Sequence, residues 1–284
     1  MSHPIALITD STCDIPEAWL KQYDIRVIPL TIIFGDEQFL DGVDLSAVEF
    51  YQRILTDPVH PSTSQATPKN FLDAYKQAAA DGAEQIVAII LSGAMSSTIE
   101  SARQAAQDSP IPVHILDGKN NSMGLGWQVI AAARVREEGG SIEAMQEAAL
   151  AAQKNMVYYI LLDTIEYLSK GGRIAGATSL LNSILKIKPM IYVNPEIGKV
   201  GASLPARSRK VGKENLYKEF FKHINTKLPM HITVLHNNCL DEAEALAERI
   251  RQEYNPKELI ISIVSPILGV HTGPRALALC GYAG

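Results

Sequence analysis

Residues 85–107 read QIVAIILSGAMSSTIESARQAAQ. An apolar, β-branched run gives way to a Gly/Ser turn, and the turn opens TIESARQAAQ, whose apolar residues recur at helical spacing. A strand that passes directly into a helix is half of a βαβ unit. Upstream, IALIT (5–9) is a second buried strand, ending in the polar turn DSTCD. A helix starts near Pro16, with Asp14 as its expected cap. IRVIPLTIIF (25–34) reads as one strand, and Ser46 opens the amphipathic helix LSAVEFYQRIL. HPSTSQATP (60–68) is a Ser/Thr/Pro loop, and Thr67-Pro68 opens a helix that stops at Gly82. Downstream lie the strand VHILD (113–117), the helix SMGLGWQVIAAARVREEGG and the helix SIEAMQEAALAAQKN (141–155). This alternation predicts an α/β unit: a largely parallel sheet with helices on both faces.

The pattern changes near residue 156. VYYILL (157–162) is a strand and TIEYLSKGGRI a helix with a glycine stop. KPMIYVNPEIGKV (188–200) predicts two strands joined by a turn at 194–198, and HITVLHNN and ELIISIVS flank the helix DEAEALAERIRQEY. The expectation is two domains in 284 residues: an α/β domain over 1–155 and an α+β domain with a mixed sheet over 156–284. A net charge of −5 argues against a nucleic-acid partner. Cys13, Cys239 and Cys280 are too few and too scattered for a disulfide framework or a thiolate metal site. They fit a reducing compartment, and a start without signal-peptide features makes the expected location cytoplasmic.

A Gly/Ser turn between strand and helix aims backbone N–H groups and a positive dipole end at one spot, which favours an anion. Ser96, Ser97 and Thr98 add hydroxyls there, though such residues are also ordinary helix caps. Two further hydroxyl clusters, Asp10-Ser11-Thr12 and Ser62-Thr63-Ser64, belong to the same half of the chain. In an open α/β sheet, ligands bind beyond the carboxyl ends of the strands. The chain has no P-loop or full dinucleotide fingerprint, no HExxH and no GxSxG, so neither a cofactor nor a metal is expected. His271 lies in the turn-rich GVHTGPRA (269–276). TSLLNSILKIKPMI (178–191) is poor in charge, fitting a core helix or the wall of an apolar pocket. By contrast Lys199, Arg207, Arg209, Lys210 and Lys213 form a run without an acid, either a solvated face or a docking patch for a phosphate or an acidic partner.

Five ordered stretches together resemble the DegV family, the FakB-like fatty-acid-binding subunits of bacterial fatty acid kinase. They are ITDSTCDIP, PSTSQATP, SGAMSSTIESA, IEYLSKGGRI and GVHTGPRA. The resemblance implies a two-domain protein that holds one long-chain fatty acid in a buried tunnel between the domains. It implies that Thr63, Ser96 and His271, with Ser62 and Ser92, bind the carboxylate. Arg173 and Arg207 would face a separate ATP-dependent kinase or the transferred phosphate. The chain itself would not be the enzyme: the kinase would phosphorylate the carboxylate, and the acyl phosphate would feed phospholipid synthesis, with transient membrane contact allowed for. Ser97, Ala66 and Arg275 depart from the family pattern, which puts chain selectivity in question. Two alternatives remain open at this level: a stand-alone acyl hydrolase using Ser96 and His271, and a lipid-sensing regulatory module.

Overall fold

A computed structural model describes residues 3–180 and 187–284. The first half runs β1 (Ile5–Asp10), a 3-10 turn at Ser11–Cys13, α1 (Glu17–Gln22), β2 (Ile25–Ile28), β3 (Thr31–Phe34), β4 (Glu37–Leu40) and α2 (Ala47–Thr56). It continues with β5 (Ser62–Ser64), α3 (Pro68–Ala80), β6 (Gln85–Ile90), α4 (Thr98–Ala106), β7 (Val113–Asp117), α5 (Ser122–Glu137) and α6 (Ile142–Lys154). The second half runs β8 (Val157–Leu161), α7 (Glu166–Lys170), a 3-10 segment at Ala175–Leu180, β9 (Met190–Asn194), β10 (Lys199–Ala202) and α8 (Arg209–His223). It closes with β11 (Met230–His236), α9 (Leu240–Tyr254), β12 (Glu258–Ile263), α10 (Pro266–Thr272) and β13 (Leu277–Ala283).

The order β2-β1-β6-β7 makes a four-stranded, all-parallel sheet. Every residue from Ile86 to Ile90 is buried, as a central parallel strand covered on both faces requires. The second sheet is mixed and six-stranded, β10-β9-β8-β13-β11-β12, with only β11 and β12 parallel. The fold is therefore α/β, with the change of sheet falling where the sequence pattern changes. Strands of the mixed sheet divide their side chains by period two. Tyr158 and Ile160 of β8, with Ala278 and Cys280 of β13, join one core shared with the parallel sheet. Leu161, Leu277 and Leu279 point the other way, into a second core closed by Leu216 and Phe220 of α8 and Leu246 and Ile250 of α9.

Three expectations change. The run 25–34 is not one strand. Pro29 cannot donate to a ladder and separates β2, in the parallel sheet, from β3, in a small antiparallel sheet ordered β4-β3-β5. HPSTSQATP is not all loop: Ser62–Ser64 pairs with β3, Thr63 lying opposite Ile32. Asp14 does not cap α1. The cap position of α1 is Pro16, without a side-chain bond, while Asp14 turns left-handed (φ 50°) and is buried between the sheets. The basic run, for which no helix was expected, continues into α8, capped by Ser208. The charge-poor stretch 178–191 lies in part (181–186) outside the described residues. Among the described residues, no helix is long and apolar enough to cross a membrane.

Candidate functional site

A cavity of about 730 Å³ opens between the two sheets. Leu30, Leu91 and Met95 line it from the first half of the chain, and Ile160, Ile191 and Val264 from the second. Its polar groups come from strand ends and turns. β5 and β3, paired at Thr63 and Ile32, bring Thr63 to the cavity half-buried. His271 occupies the last turn of α10 and lines the same cavity. The two side chains meet, Thr63 Oγ1 to His271 Nε2 at 3.1 Å, across 208 residues of sequence.

The imidazole is enclosed from the other side by the KGGR turn. A side chain at Gly171 would put its Cβ 2.1 Å from His271 Nδ1, so the backbone there passes flush against the ring. Gly273, just beyond α10, adopts φ +70° and packs against the Tyr167 ring, where a Cβ would fall 2.2 Å from Cδ2. Burial, reinforced by the nearby charges of Arg173 and His60, pushes His271 down to about 4. It is therefore neutral near pH 7, with one donor and one acceptor nitrogen. With the proton on Nε2, the ring donates to Thr63 Oγ1 and leaves the Thr63 hydroxyl proton for an anion in the cavity. Arg173 is exposed at the same mouth, and its Nη1 donates to the Gly171 carbonyl at 2.9 Å.

Ser96 also lines the cavity. Its Oγ lies 2.9 Å from Thr98 Oγ1 and accepts from the Thr98 N–H at 3.3 Å, so it caps the start of α4 while facing the cavity. Ser97, at the formal cap position, makes no side-chain capping bond. Three of the expected residues lie elsewhere. Ser92 is fully buried, donates to the Gly198 carbonyl at 2.6 Å and accepts from the Ala94 N–H at 3.2 Å, which fastens the β9–β10 turn to the parallel sheet. Ser62 is exposed and off the cavity lining. Arg207 is exposed between β10 and α8, also off the lining. Arg209 and Lys213 of the basic run are paired, with Arg275, to the single carboxylate of Glu242 at 3.2, 2.9 and 2.9 Å.

Thr12, from the hydroxyl cluster after β1, lines the cavity, and so do Gln65, Asn121 and Asn237, to which the sequence assigned no role. Of these, Thr12 had a visible signal, its place in that cluster. Its hydroxyl donates to Asp10 Oδ1 at 2.6 Å, and Asp10 Oδ2 accepts from the Leu91 N–H at 2.8 Å. The carboxyl ends of β1 and β6 are thereby tied together beside the cavity. Asn237 has no comparable signal: its partners lie 35 and 36 residues away.

A family model described as uncharacterised proteins of the DegV family matches residues 4–283. A DegV domain-containing protein of Streptomyces coelicolor is 33% identical over 284 residues, spanning 98% of each chain. Among solved structures, a DegV family protein from Thermus thermophilus, described as binding fatty acid, superposes with a TM-score of 0.92 at 28% identity over 99% of each chain. DegV from Bacillus subtilis, described as a fatty acid binding protein, gives a TM-score of 0.91 at 27% identity over 100% of each chain. With the match running through both sheets and every motif around the cavity, this chain belongs to the DegV family.

Proposed function

We propose that this chain binds one long-chain fatty acid in the cavity between its two units, 1–155 and 156–284, and presents the carboxylate to a separate ATP-dependent fatty acid kinase. The observation that carries the reading is the cavity itself: about 730 Å³, with Leu30, Leu91, Met95, Ile160, Ile191 and Val264 along its walls and a neutral Thr63–His271 pair among its polar groups. At roughly 30 Å³ per water-sized group, it has room for about two dozen heavy atoms, enough for a long acyl chain and its carboxylate. Burying about fifteen methylenes at about 0.8 kcal/mol each contributes roughly 12 kcal/mol before ordering costs. The solved relatives from Thermus thermophilus and Bacillus subtilis, described as fatty acid binders, cover essentially the whole chain.

A carboxylate leaving water needs several donors. Thr63 and Ser96 supply hydroxyls, and Arg173, exposed at the mouth, supplies a cation where a kinase would deliver phosphate. Acyl-phosphate made there would feed phospholipid synthesis. The hydrolase alternative has less support. Ser96 Oγ bonds to Thr98, while His271 Nε2 is engaged by Thr63 and the ring is too weakly basic to activate a hydroxyl efficiently.

Native and denaturing mass spectrometry of the protein purified from cells tests the reading. One fatty acid mass, present in the native spectrum and lost on denaturation, is the expected result. A protein that carries no acyl chain and takes up none when fatty acid is supplied would refute it. Release of product from acyl esters by the pure protein, abolished in Ser96→Ala, would move the assignment to a hydrolase.

A further inference from the structure

The turn that carries His271 is held by one buried side chain on another strand's end. Asn237 follows β11 directly and is 1% exposed. Its amide nitrogen donates to Thr272 Oγ1 at 2.8 Å and to the Gly273 carbonyl at 2.7 Å. Its backbone N–H donates to the Ala276 carbonyl at 2.9 Å, and its own carbonyl accepts from the Arg275 N–H at 2.7 Å. One residue thus closes on positions 272 to 276, immediately after the imidazole.

The partners fix which way the amide points. The Thr272 hydroxyl gives its proton to the Leu268 carbonyl at 2.9 Å, so Thr272 Oγ1 meets Asn237 as an acceptor. The Gly273 carbonyl can only accept. Both contacts therefore demand nitrogen, and an oxygen in that place would be repelled twice. The turn also needs holding. Helix α10 has only seven residues and ends here, which leaves carbonyls to be satisfied from outside. Arg275 adopts φ 61°, a left-handed conformation that side chains disfavour. Its guanidinium is anchored on Glu242 at 2.9 Å, so the far end of the turn is pinned to α9.

We propose that Asn237 is the positioning residue of the head-group site. By fixing the end of α10 it sets where His271 Nε2 meets Thr63, and so sets the preference for a carboxylate over an uncharged head group, an inference that rests on the fatty-acid reading above. The imidazole reaches Thr63 at 3.1 Å, near the long end of useful hydrogen-bond distances, so a small drift of α10 disengages the pair.

Asn237→Asp is nearly isosteric and sets an oxygen against the two acceptors. Affinity is measured by competition with a fluorescent long-chain fatty acid, using a C16 fatty acid and its alcohol as competitors. At about pH 8 the variant binds the acid about tenfold more weakly, the loss of roughly one hydrogen bond, and the alcohol loses less; because the introduced carboxylate lines the cavity and also repels an acid directly, an uncharged variant is read beside it. At about pH 5 part of the loss returns, because burial against two acceptors raises the introduced carboxyl, which then takes up a proton and donates one bond. Thr272→Val removes one of the two acceptors and gives a smaller loss with the same selectivity. Because it adds no charge, it decides whether the lost selectivity comes from the position of α10 or from the introduced carboxylate, and it carries the comparison alone if Asn237→Asp does not fold. Equal weakening of acid and alcohol, or wild-type selectivity in a folded variant, overturns the assignment while fatty-acid binding stands. A wild-type protein that takes up neither ligand overturns the fatty-acid reading and this assignment with it.

Discussion

Asp14 joins the two sheets behind the cavity, and its proton makes that junction measurable. Its carbonyl accepts from the Ser262 hydroxyl at 2.9 Å and its Oδ1 from the Ser265 N–H at 2.9 Å. Its Oδ2 accepts from the Ser122 hydroxyl at 2.5 Å, at the start of α5. Burial outweighs these bonds and, with Asp10 nearby, pushes the carboxyl from 3.8 up to about 7. The folded chain therefore keeps a proton that the unfolded chain has already released. This contribution to stability is full below pH 3.8 and is lost as the pH rises to about 7. At 1.36 kcal/mol per pH unit, the whole excursion amounts to on the order of 4 kcal/mol.

Asp14→Asn removes the titration and keeps the shape. Urea denaturation of both proteins at closely spaced pH values isolates the effect, because titrations shared by the two largely cancel in the difference. Asp41, which burial pushes up to about 8 with the Asp14 charge adding to the rise, cancels only in part, and its share falls mainly above about pH 7. Between about pH 5 and about pH 7, wild type should lose about 2 kcal/mol relative to Asp14→Asn. A difference that stays flat over that window would refute the reasoning, and so would one of opposite sign.

Thr63→Val removes the hydroxyl opposite His271 Nε2 and should weaken fatty-acid binding about tenfold, with Ser96→Ala giving a smaller loss; unchanged affinities in competition assays would contradict the assigned roles. Arg173→Ala should leave lipid uptake intact and lower phosphorylation of the bound acid by the kinase, and a variant purified empty would show that Arg173 serves binding instead. Because the Arg173 charge helps hold His271 low, the same variant should raise the His271 midpoint in an NMR titration. Glu258 is gripped by Arg134 at 3.0 and 2.6 Å and contacts His231; burial pushes its carboxyl up, but these partners prevail and hold it at about 2. Glu258→Gln should therefore lower stability by roughly 2–4 kcal/mol in urea melts above about pH 5, the deficit closing as the pH falls toward 2.

The parts of this molecule written in local sequence were legible there. The strand, turn and helix of residues 85–107 depend on neighbours a few positions apart, and the structure places β6 and α4 within them. The capping box at Ser46 and Glu49 is of the same kind. Long-range partnership was not legible. Asp14 looked like a cap because a cap is the local use of an aspartate before a helix, yet two of its partners lie 108 and 251 residues away. Ser92 looked like a ligand group, but its hydroxyl meets a carbonyl 106 residues downstream. Just beyond the basic run, Leu216, Tyr217 and Phe220 recur at helical spacing among charged neighbours, and they put α8 on the second core. Thr63 and His271 were first named together by a resemblance, and no rule of local spacing joins residues 208 apart.

The two faces of the mixed sheet explain why a cavity survives between two well-filled cores. On the face toward α8 and α9, β13 presents Leu277 and Leu279, and the space is filled. On the other face the same strand offers Ala278 to the cavity, with Ala276 just before it. Ala278 sits opposite Ile160 in the register, so a branched aliphatic side chain there faces a methyl group and not a second one of its own size. Small side chains on one strand face leave unfilled volume between sheets that are otherwise held at fixed separation by Asp14, Ser92 and the Arg134–Glu258 pair. Methylenes lying between these apolar side chains make dispersion contacts with both walls, individually small and collectively large. In the proposed function this divides the labour: the alkyl chain supplies affinity, while the Thr63–His271 pair and Ser96 determine which end of the ligand faces the kinase. Substitutions at the hydroxyls should consequently alter orientation and exchange before they empty the cavity.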